Sequence, residues 1–582
     1  MPTNIAVIGP PGTGKTYSLM NSIKDLLEKG VHPGAICAVT FTKVAAYEIR
    51  HRLIQRFPEY SHNDFPWVGT VHAVCLRLLG VSHSQIFMGK PVAEFCQTNP
   101  YRFSPEKLVD EVDDDLEELY DHRLHTLGDW FEHFDSRRRN GMMTFDKENA
   151  DFIKQHGFDR IPLNWTRPTQ QLYCDRKAKF LQEKGYFDFN SLIETTLLRQ
   201  ARPPGMRYLF CDEAQDSSPL IWAVLRMWAQ ECEQFTCLGD PDQGIYSSFL
   251  PAPPENFIRF IESARRVELQ QSYRLPRLIQ AVSEQWINRN KNRVQRTFLP
   301  RPEDGIVKGY CELWRLPWKE FAFKREDEED GGWKAFVLAR TRWQASQLKK
   351  WFYDEGVPYA TNRGGKNPLQ TARARLAYAF IRLADQEDIP ARDMRPMKEW
   401  MPAKPWMVHG GKTGFLRFID SNPDRMIGWK HLLQNGFSPD FMDTLNHQDF
   451  LQSLKISTAE KSYLRRVYLH FGRMAFIRTP SVLVSNIHAV KGLEADNVFI
   501  NPDLWGRPAT SFLWDKDGRE EERRVGYVGI TRAKVGLYIL KPDYSATSMY
   551  DFRWCKPCGE VVREQYLARL AQEEQDSAEP WI

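Results

Sequence analysis

The chain holds 582 residues, 42% hydrophobic and 26% charged, the balance of a globular protein with room for about three to five domains. Its 79 basic and 75 acidic residues leave a net charge of only +4, so composition does not demand a nucleic-acid partner, and any such partner would lie in a local groove. No apolar run approaches the roughly 18 residues of a membrane span, and strand character from residue 5 leaves no space for a leader, which predicts a cytoplasmic protein without membrane contact.

The first predicted element is the strand Ile5–Ile8, which breaks into Gly9-Pro10-Pro11-Gly12-Thr13-Gly14-Lys15-Thr16. This spacing, GxxxxGK[ST], has mechanical reasons. The glycines let backbone N–H groups converge on a β-phosphate, Lys15 reaches the β/γ-phosphates, and the Thr16 hydroxyl ligates Mg²⁺. Leu19, Ile23, Leu26 and Leu27 recur at helical spacing behind the loop and Gly30 ends the run, so a helix N-terminus faces the anion. ATP or GTP with Mg²⁺ is the expected ligand.

An α/β pattern fills residues 1–80. Residues 81–184 are rich in charge, Trp, Phe and His and predict a mostly helical insertion. Within it, Arg137-Arg138-Arg139 reads as a solvated charge run rather than a site. Strands return at Tyr208–Cys211 and Thr236–Leu238, closing a first unit at 185–268. A second α/β unit covers 269–385 and 479–546, with strands at Ala335–Ala339, Val482–Val484, Val498–Ile500 and Val535–Leu540. Its insertion, 386–478, is Pro- and Met-rich and short. There His409-Gly-Gly411-Lys412-Thr413 imitates a phosphate loop, but Trp406 stands where the first Gly belongs and no strand leads in, so it reads as a loop. Residues 547–582 form a tail. The acidic clusters at 110–118 and 326–330 read as a solvated helix face and a loop. Of the ten cysteines, Cys37, Cys211 and Cys237 lie in apolar strands and read as reduced core thiols. Cys555 and Cys558 make a lone CxxC without a second pair, read as structural or incidental.

Tyr208-Leu-Phe-Cys-Asp212-Glu213-Ala-Gln-Asp216 is an apolar strand ending in acids. Asp212 is the carboxylate that completes a Mg²⁺ shell with Thr16, and Glu213 stands ready to accept a proton from attacking water.

Together these two motifs resemble a superfamily 1 helicase of the UvrD/Rep/PcrA type. Further segments resemble its motifs in order: Thr40-Phe41-Thr42 with Ala45-Ala46 (Ia), Gly69-Thr70-Val-His72 (Ib), Phe187-Asp188-Phe189 before motif II, and Gly239-Asp240-Pro-Asp242-Gln243-Gly-Ile-Tyr246 (III). Gln271-Ser-Tyr273-Arg274 resembles motif IV, His488-Ala-Val-Lys491-Gly-Leu-Glu494 motif V, and Tyr527-Val-Gly-Ile-Thr531-Arg532 motif VI. The resemblance implies two RecA-like parallel-sheet domains, each interrupted by a mostly helical insertion. It implies that Gln243 contacts the γ-phosphate and that Arg274 and Arg532 reach in from the second lobe as arginine fingers. Tyr273 and Glu494 join the nucleotide site by the same resemblance. Single-stranded DNA needs aromatic platforms and phosphate donors. The candidates are Phe41, Thr70, His72, Tyr246 and His488, with Phe249 replacing a family Trp that is missing after Tyr246.

The implied activity is an ATP-dependent DNA translocase that moves 3′→5′ on single strands and unwinds duplex, with single-stranded and partial-duplex DNA as partners. A motor subunit of a repair, recombination or defence complex with little unwinding is the alternative, and a nucleotide-gated switch a third. A monomer or weak self-associate is expected, with a protein loading or repair partner as a further expectation. Relatives carry an upstream Gln that reads adenine and this sequence has none, which predicts weak base selectivity.

Overall fold

The computed structural model describes residues 2–104, 126–156, 161–247, 250–324, 332–361, 367–446, 450–543 and 547–548. Phe249, the two acidic clusters, Cys555 and Cys558, and nearly all of the predicted tail lie outside them.

The chain divides into two compact units, Met1–Gly305 with Trp505–Thr531, and Ile306–Leu504 with the chain from Arg532 onward. In the first, β1 (Thr3–Ile8), β2 (Ile36–Thr40), β3 (Val68–Thr70), β4 (Tyr208–Cys211), β5 (Gln234–Gly239) and β6 (Arg265–Glu268) form one sheet in the order β3-β2-β4-β5-β1-β6. Every pairing is parallel. Parallel strands need crossovers that cover both faces, so the strands are apolar throughout rather than alternating. Ile5 and Val7 face one core with Leu19, Ile23 and Leu27 of α1 (Lys15–Glu28) and Ile49 and Leu53 of α2 (Lys43–Arg56). Ala6 and Ile8 face the other, with Trp222, Trp228 and Val74 of α3 (Val71–Leu79). The thiols of Cys37, Cys211 and Cys237 are buried in this sheet and free, as expected of core cysteines.

The first insertion is helical, and its core is aromatic: Phe87, Phe95, Tyr101, Phe131, Tyr173 and Phe180 pack together. Beside it lies a buried ionic cluster. Lys177, 1% exposed, pairs with Glu132 at 2.8 Å, Asp188 at 2.6 Å and Asp135 at 3.5 Å. The arginine run belongs to this cluster and is not solvated. Arg137 pairs with buried Glu148 at 2.8 Å, Arg138 with Asp135 at 2.9 Å, and Arg139 with Asp188 at 2.6 Å and with Glu194. Counting charges along the sequence could not see that Glu148 arrives from the helix Phe145–His156, and Asp188 and Glu194 from the start and body of the helix Phe189–Leu198.

Residues 269–305 were expected in the second unit, but they pack on the first. Strands β7 (Gln271–Pro276) and β8 (Leu299–Arg301) pair with each other, and the helix Arg277–Ile287 lies against the helix Lys516–Ile530. The Trp286 indole donates to the Arg523 carbonyl at 2.8 Å, and the Asn290 amide to that of Glu520 at 2.9 Å.

The second unit has its own parallel sheet, β11-β10-β12-β13-β9, built from β9 (Ile306–Cys311), β10 (Trp333–Ala339), β11 (Val482–Asn486), β12 (Ala495–Ile500) and β13 (Ala533–Leu540). Its insertion starts earlier than residue 386. Leu376, Phe380 and Leu383 on the helix Ala372–Ala384 already belong to the insertion core, with Met394, Met397, Met401 and Phe415. The imitation phosphate loop begins the helix Gly411–Ser421, and Lys412 Nζ is held by the carbonyls of Lys398 at 2.9 Å and Met401 at 2.6 Å. It is a helix start in a small apolar domain, neither phosphate loop nor plain loop. No helix among the described residues is long and apolar enough to cross a membrane.

Candidate nucleotide and nucleic-acid site

Because the first sheet is wholly parallel, every strand delivers its following loop to the same edge. The phosphate loop follows β1, Asp212 follows β4, Asp240 follows β5, and Phe41 follows β2. Hydrogen bonding continues past the strands: Gly9 N donates to Gly239 O at 3.2 Å and Asp212 N to Val39 O at 2.9 Å.

Inside the loop, Thr13 Oγ1 donates to Pro10 O at 2.8 Å and Lys15 Nζ to Gly9 O at 2.8 Å, so the loop is folded over its own lysine. Gly12 sits at φ +76°, and a Cβ there would stand 2.4 Å from Arg274 Cβ. That crowding exists because β7 is laid across the loop. Tyr273 N donates to Gly12 O at 2.8 Å and Ser272 Oγ to Pro11 O at 3.0 Å, while Arg274 reaches the Thr531 carbonyl at 3.4 Å. Arg274 therefore comes from the same unit as the phosphate loop, not from the second lobe, since β7 bonds to the loop and the second sheet starts only at β9. Tyr273 is 73% exposed beside the loop, a free aromatic face for a base.

Thr16 Oγ1 lies 3.3 Å from Asp212 Oδ2. Burial, then the charge of Glu213, push the Asp212 carboxyl up to about 7 against the pull of Lys15. A buried carboxylate beside a hydroxyl, both hard oxygen donors, fits Mg²⁺, which takes one or two protein ligands and keeps its remaining positions for water and phosphate. Glu213 occupies the left-handed region at φ +53°, a strained backbone state for a residue with a side chain. Its carboxylate accepts from Gln215 Nε2, and its N–H donates to Asp212 Oδ1 at 3.0 Å.

Gln215 is a residue that the motif reading passed over. Its carbonyl oxygen accepts from Asp240 N at 3.1 Å, joining the strand ends of β4 and β5. Gly239 makes room for it, because a Cβ there would lie 2.4 Å from Gln215 Oε1. Asp240 in turn accepts from Gln243 Nε2 at 2.9 Å. Arg293 and Arg296, far outside every motif, close on Asp240 and Asp242.

The nucleic-acid candidates divide. Phe41 and Tyr246 stack at 5.1 Å with their planes 29° apart at the sheet edge, Phe41 half-buried and Tyr246 8% exposed. Thr70 caps α3, its hydroxyl accepting from Ala73 N at 3.2 Å. His72 is turned inward onto Phe189, edge to face at 5.4 Å, and burial lowers its pKa to about 4 despite nearby Asp188. In the second unit His488 is buried, 1% exposed, and offers no open ring. Arg532 is also buried there and donates to Leu493 O at 3.2 Å, while half-exposed Glu494 lies 3.9 Å from Lys534.

A glycine loop with its lysine, a strand-end carboxylate and a second acid on one parallel sheet define a P-loop, RecA-like nucleotide-binding protein. Two family models match the chain: the UvrD/REP helicase N-terminal domain over residues 1–265 and the UvrD-like helicase C-terminal domain over residues 447–543. The chain belongs to the UvrD-like helicase family. It is 24% identical to DNA helicase II of Escherichia coli K12, covering 91% of this chain and 81% of that protein. It is also 24% identical to the ATP-dependent DNA helicase PcrA of Leuconostoc citreum (92% and 79%) and to a probable DNA helicase II homolog of Rickettsia felis (93% and 90%).

Proposed function

We propose that this protein is an ATP-dependent DNA helicase that hydrolyses ATP to move 3′→5′ along single-stranded DNA and separate duplex. One observation carries the reading. Lys15, Thr16, Asp212, Glu213, Gln243 and Arg274 stand on one unit, along one sheet edge, with the stacked Phe41–Tyr246 pair on the same edge. A nucleotide-gated switch has no need of the full hydrolytic set.

Phosphoryl transfer develops charge on the γ-phosphoryl oxygens, so donors aimed at them do most of the catalysis. Thr16 and Asp212 would hold Mg²⁺, which when bound neutralises charge across the β- and γ-oxygens. Lys15 exchanges Gly9 O for phosphate. Glu213, oriented by Gln215, takes the proton of the attacking water. Gln243 and Arg274 meet the γ-phosphate. Phe41 and Tyr246 stack bases, so that Gln243, three residues before Tyr246, links nucleotide state to strand grip.

The test uses partial duplexes with either a 3′ or a 5′ single-stranded tail, measuring ATP hydrolysis and strand separation together, with Lys15→Ala as the inactive control. Unwinding from the 3′ tail alone is expected. DNA-stimulated hydrolysis without strand separation would replace the helicase by a translocase, and unstimulated hydrolysis would remove both.

A further inference from the structure

Two arginines outside every recognised motif are fully drawn into the hydrolytic edge. Arg296, on the stretch between the helix Arg277–Ile287 and β8, has a side chain 2% exposed. It pairs with Asp242, lies 3.4 Å from Asp240 Oδ1 and donates to the Tyr527 hydroxyl at 3.0 Å. Arg293 Nε donates to both oxygens of Asp242 at 3.0 Å, and its Nη2 donates at 2.6 Å. The two aspartates are 0% and 1% exposed. Uncompensated, two carboxylates this deep and this close would not both stay charged. Burial pushes Asp240 up while Arg296 opposes it, and at Asp242 the two guanidinia outweigh burial and hold it below the usual carboxylate range.

What these carboxylates hold is Gln243. Asp240 Oδ2 accepts from Gln243 Nε2 at 2.9 Å, and Asp240 Oδ1 accepts from Asp242 N at 3.2 Å, fixing the turn that presents the glutamine. We infer that Arg296, assisted by Arg293, is a positioning residue for ATP hydrolysis, acting through Asp240 and Asp242 to orient the Gln243 amide toward the γ-phosphate. The inference rests on the proposed role of Gln243. It also gives the Tyr527 contact a consequence: Tyr527 lies on the helix that ends at Thr531, whose carbonyl holds Arg274, so the glutamine and the arginine share one support.

The experiment is a double-mutant cycle on full-length protein, reading kcat and KM for ATP with and without single-stranded DNA. Arg296→Met is expected to lower DNA-stimulated kcat about 10-fold or more with KM within about twofold, and Arg296→Lys to restore part of it. Adding Gln243→Ala to Arg296→Met should cost nothing beyond Gln243→Ala alone, because the two substitutions break one linkage. Should Arg296→Met fail to fold, Arg296→Lys and the charge-balanced Arg296→Met/Asp242→Asn carry the same cycle. Stimulated kcat within about twofold of wild type in a folded variant, or additive effects in the cycle, overturns the inference. Wild-type hydrolysis that DNA does not stimulate removes the helicase reading instead, and the cycle is then judged on basal kcat.

Discussion

Two strand-to-helix turns, one in each unit, show how the same local geometry is opened or closed to a ligand. After β1 the chain enters α1 through Gly14 in the left-handed region, and no side chain caps the helix. After β10 it enters the helix Arg342–Asp354 through Thr341, whose hydroxyl accepts from Gln344 N at 3.2 Å while Gln344 reaches back to Thr341 N at 3.1 Å. Both turns end a parallel strand, and both helices point a positive N-terminus at the sheet edge. The first leaves its N–H groups for an anion, whereas the second satisfies them with its own residues. Within the first unit α2 and α3 are closed in the same way, by Thr42 and Thr70. Of the helices that follow β1, β2 and β3, only α1 starts without a side-chain cap, and it starts where Lys15, Thr16 and Asp212 converge.

If that contrast is right, damage at the open turn should remove activity and spare the fold, while damage at the closed turn should do the reverse. The largest effect is expected from Arg274→Ala, whose side chain lies over the open loop. Steady-state kcat should fall about 10³–10⁵-fold, as for arginine fingers generally, with the melting temperature shifted by no more than about 2 °C. An unchanged kcat would place Arg274 among the structural residues. Gly12→Ala comes next. The added methyl meets Arg274 in a backbone state that favours glycine, so titration with a fluorescent ATP analogue should show affinity reduced about 100-fold or more.

Lys177→Met probes the limit of the contrast, since it lies in the first unit but away from the open turn. Taking the cation from Glu132, and leaving Asp135 and Asp188 to Arg138 and Arg139 alone, should cost about 3–5 kcal/mol in chemical denaturation. A smaller pH effect belongs to His72. Its folded pKa, about 4, lies below its ordinary value, so the unfolded chain binds the extra proton first. The stabilisation is complete above about pH 6.5 and is lost as pH falls toward 4, a change of about 1–3 kcal/mol that His72→Gln should flatten in urea melts. Thr341→Ala should be the mildest, about 1 kcal/mol of stability with ATP hydrolysis unaltered. A loss of hydrolysis there would mean that the closed turn also serves the ligand.

Much of the site was legible in the residues because its chemistry is local. GPPGTGKT sets its glycines and lysine within eight positions and Asp212 ends an apolar strand, so these residues could be picked out from short stretches, and the fold brings Thr16 to 3.3 Å from Asp212. Phe41 and Tyr246 were chosen separately and meet face to face. The errors came where partners are distant. The arginine run looked solvated because its carboxylates, Glu148, Asp188 and Glu194, lie beyond the helix that carries it. His72 looked like a stacking ring, yet helix packing turned it onto Phe189.

The sequence by itself determined that the chain is an α/β protein with a phosphate loop, because apolar strands and glycine spacing act over a few residues. Only the tertiary structure decided that Arg274 shares a unit with that loop, that the second insertion includes the helix Ala372–Ala384, and that Arg293 and Arg296 stand behind Gln243. Those facts depend on which buried carboxylates and carbonyls a long side chain can reach, and burial makes each unmet charge costly enough to fix the answer.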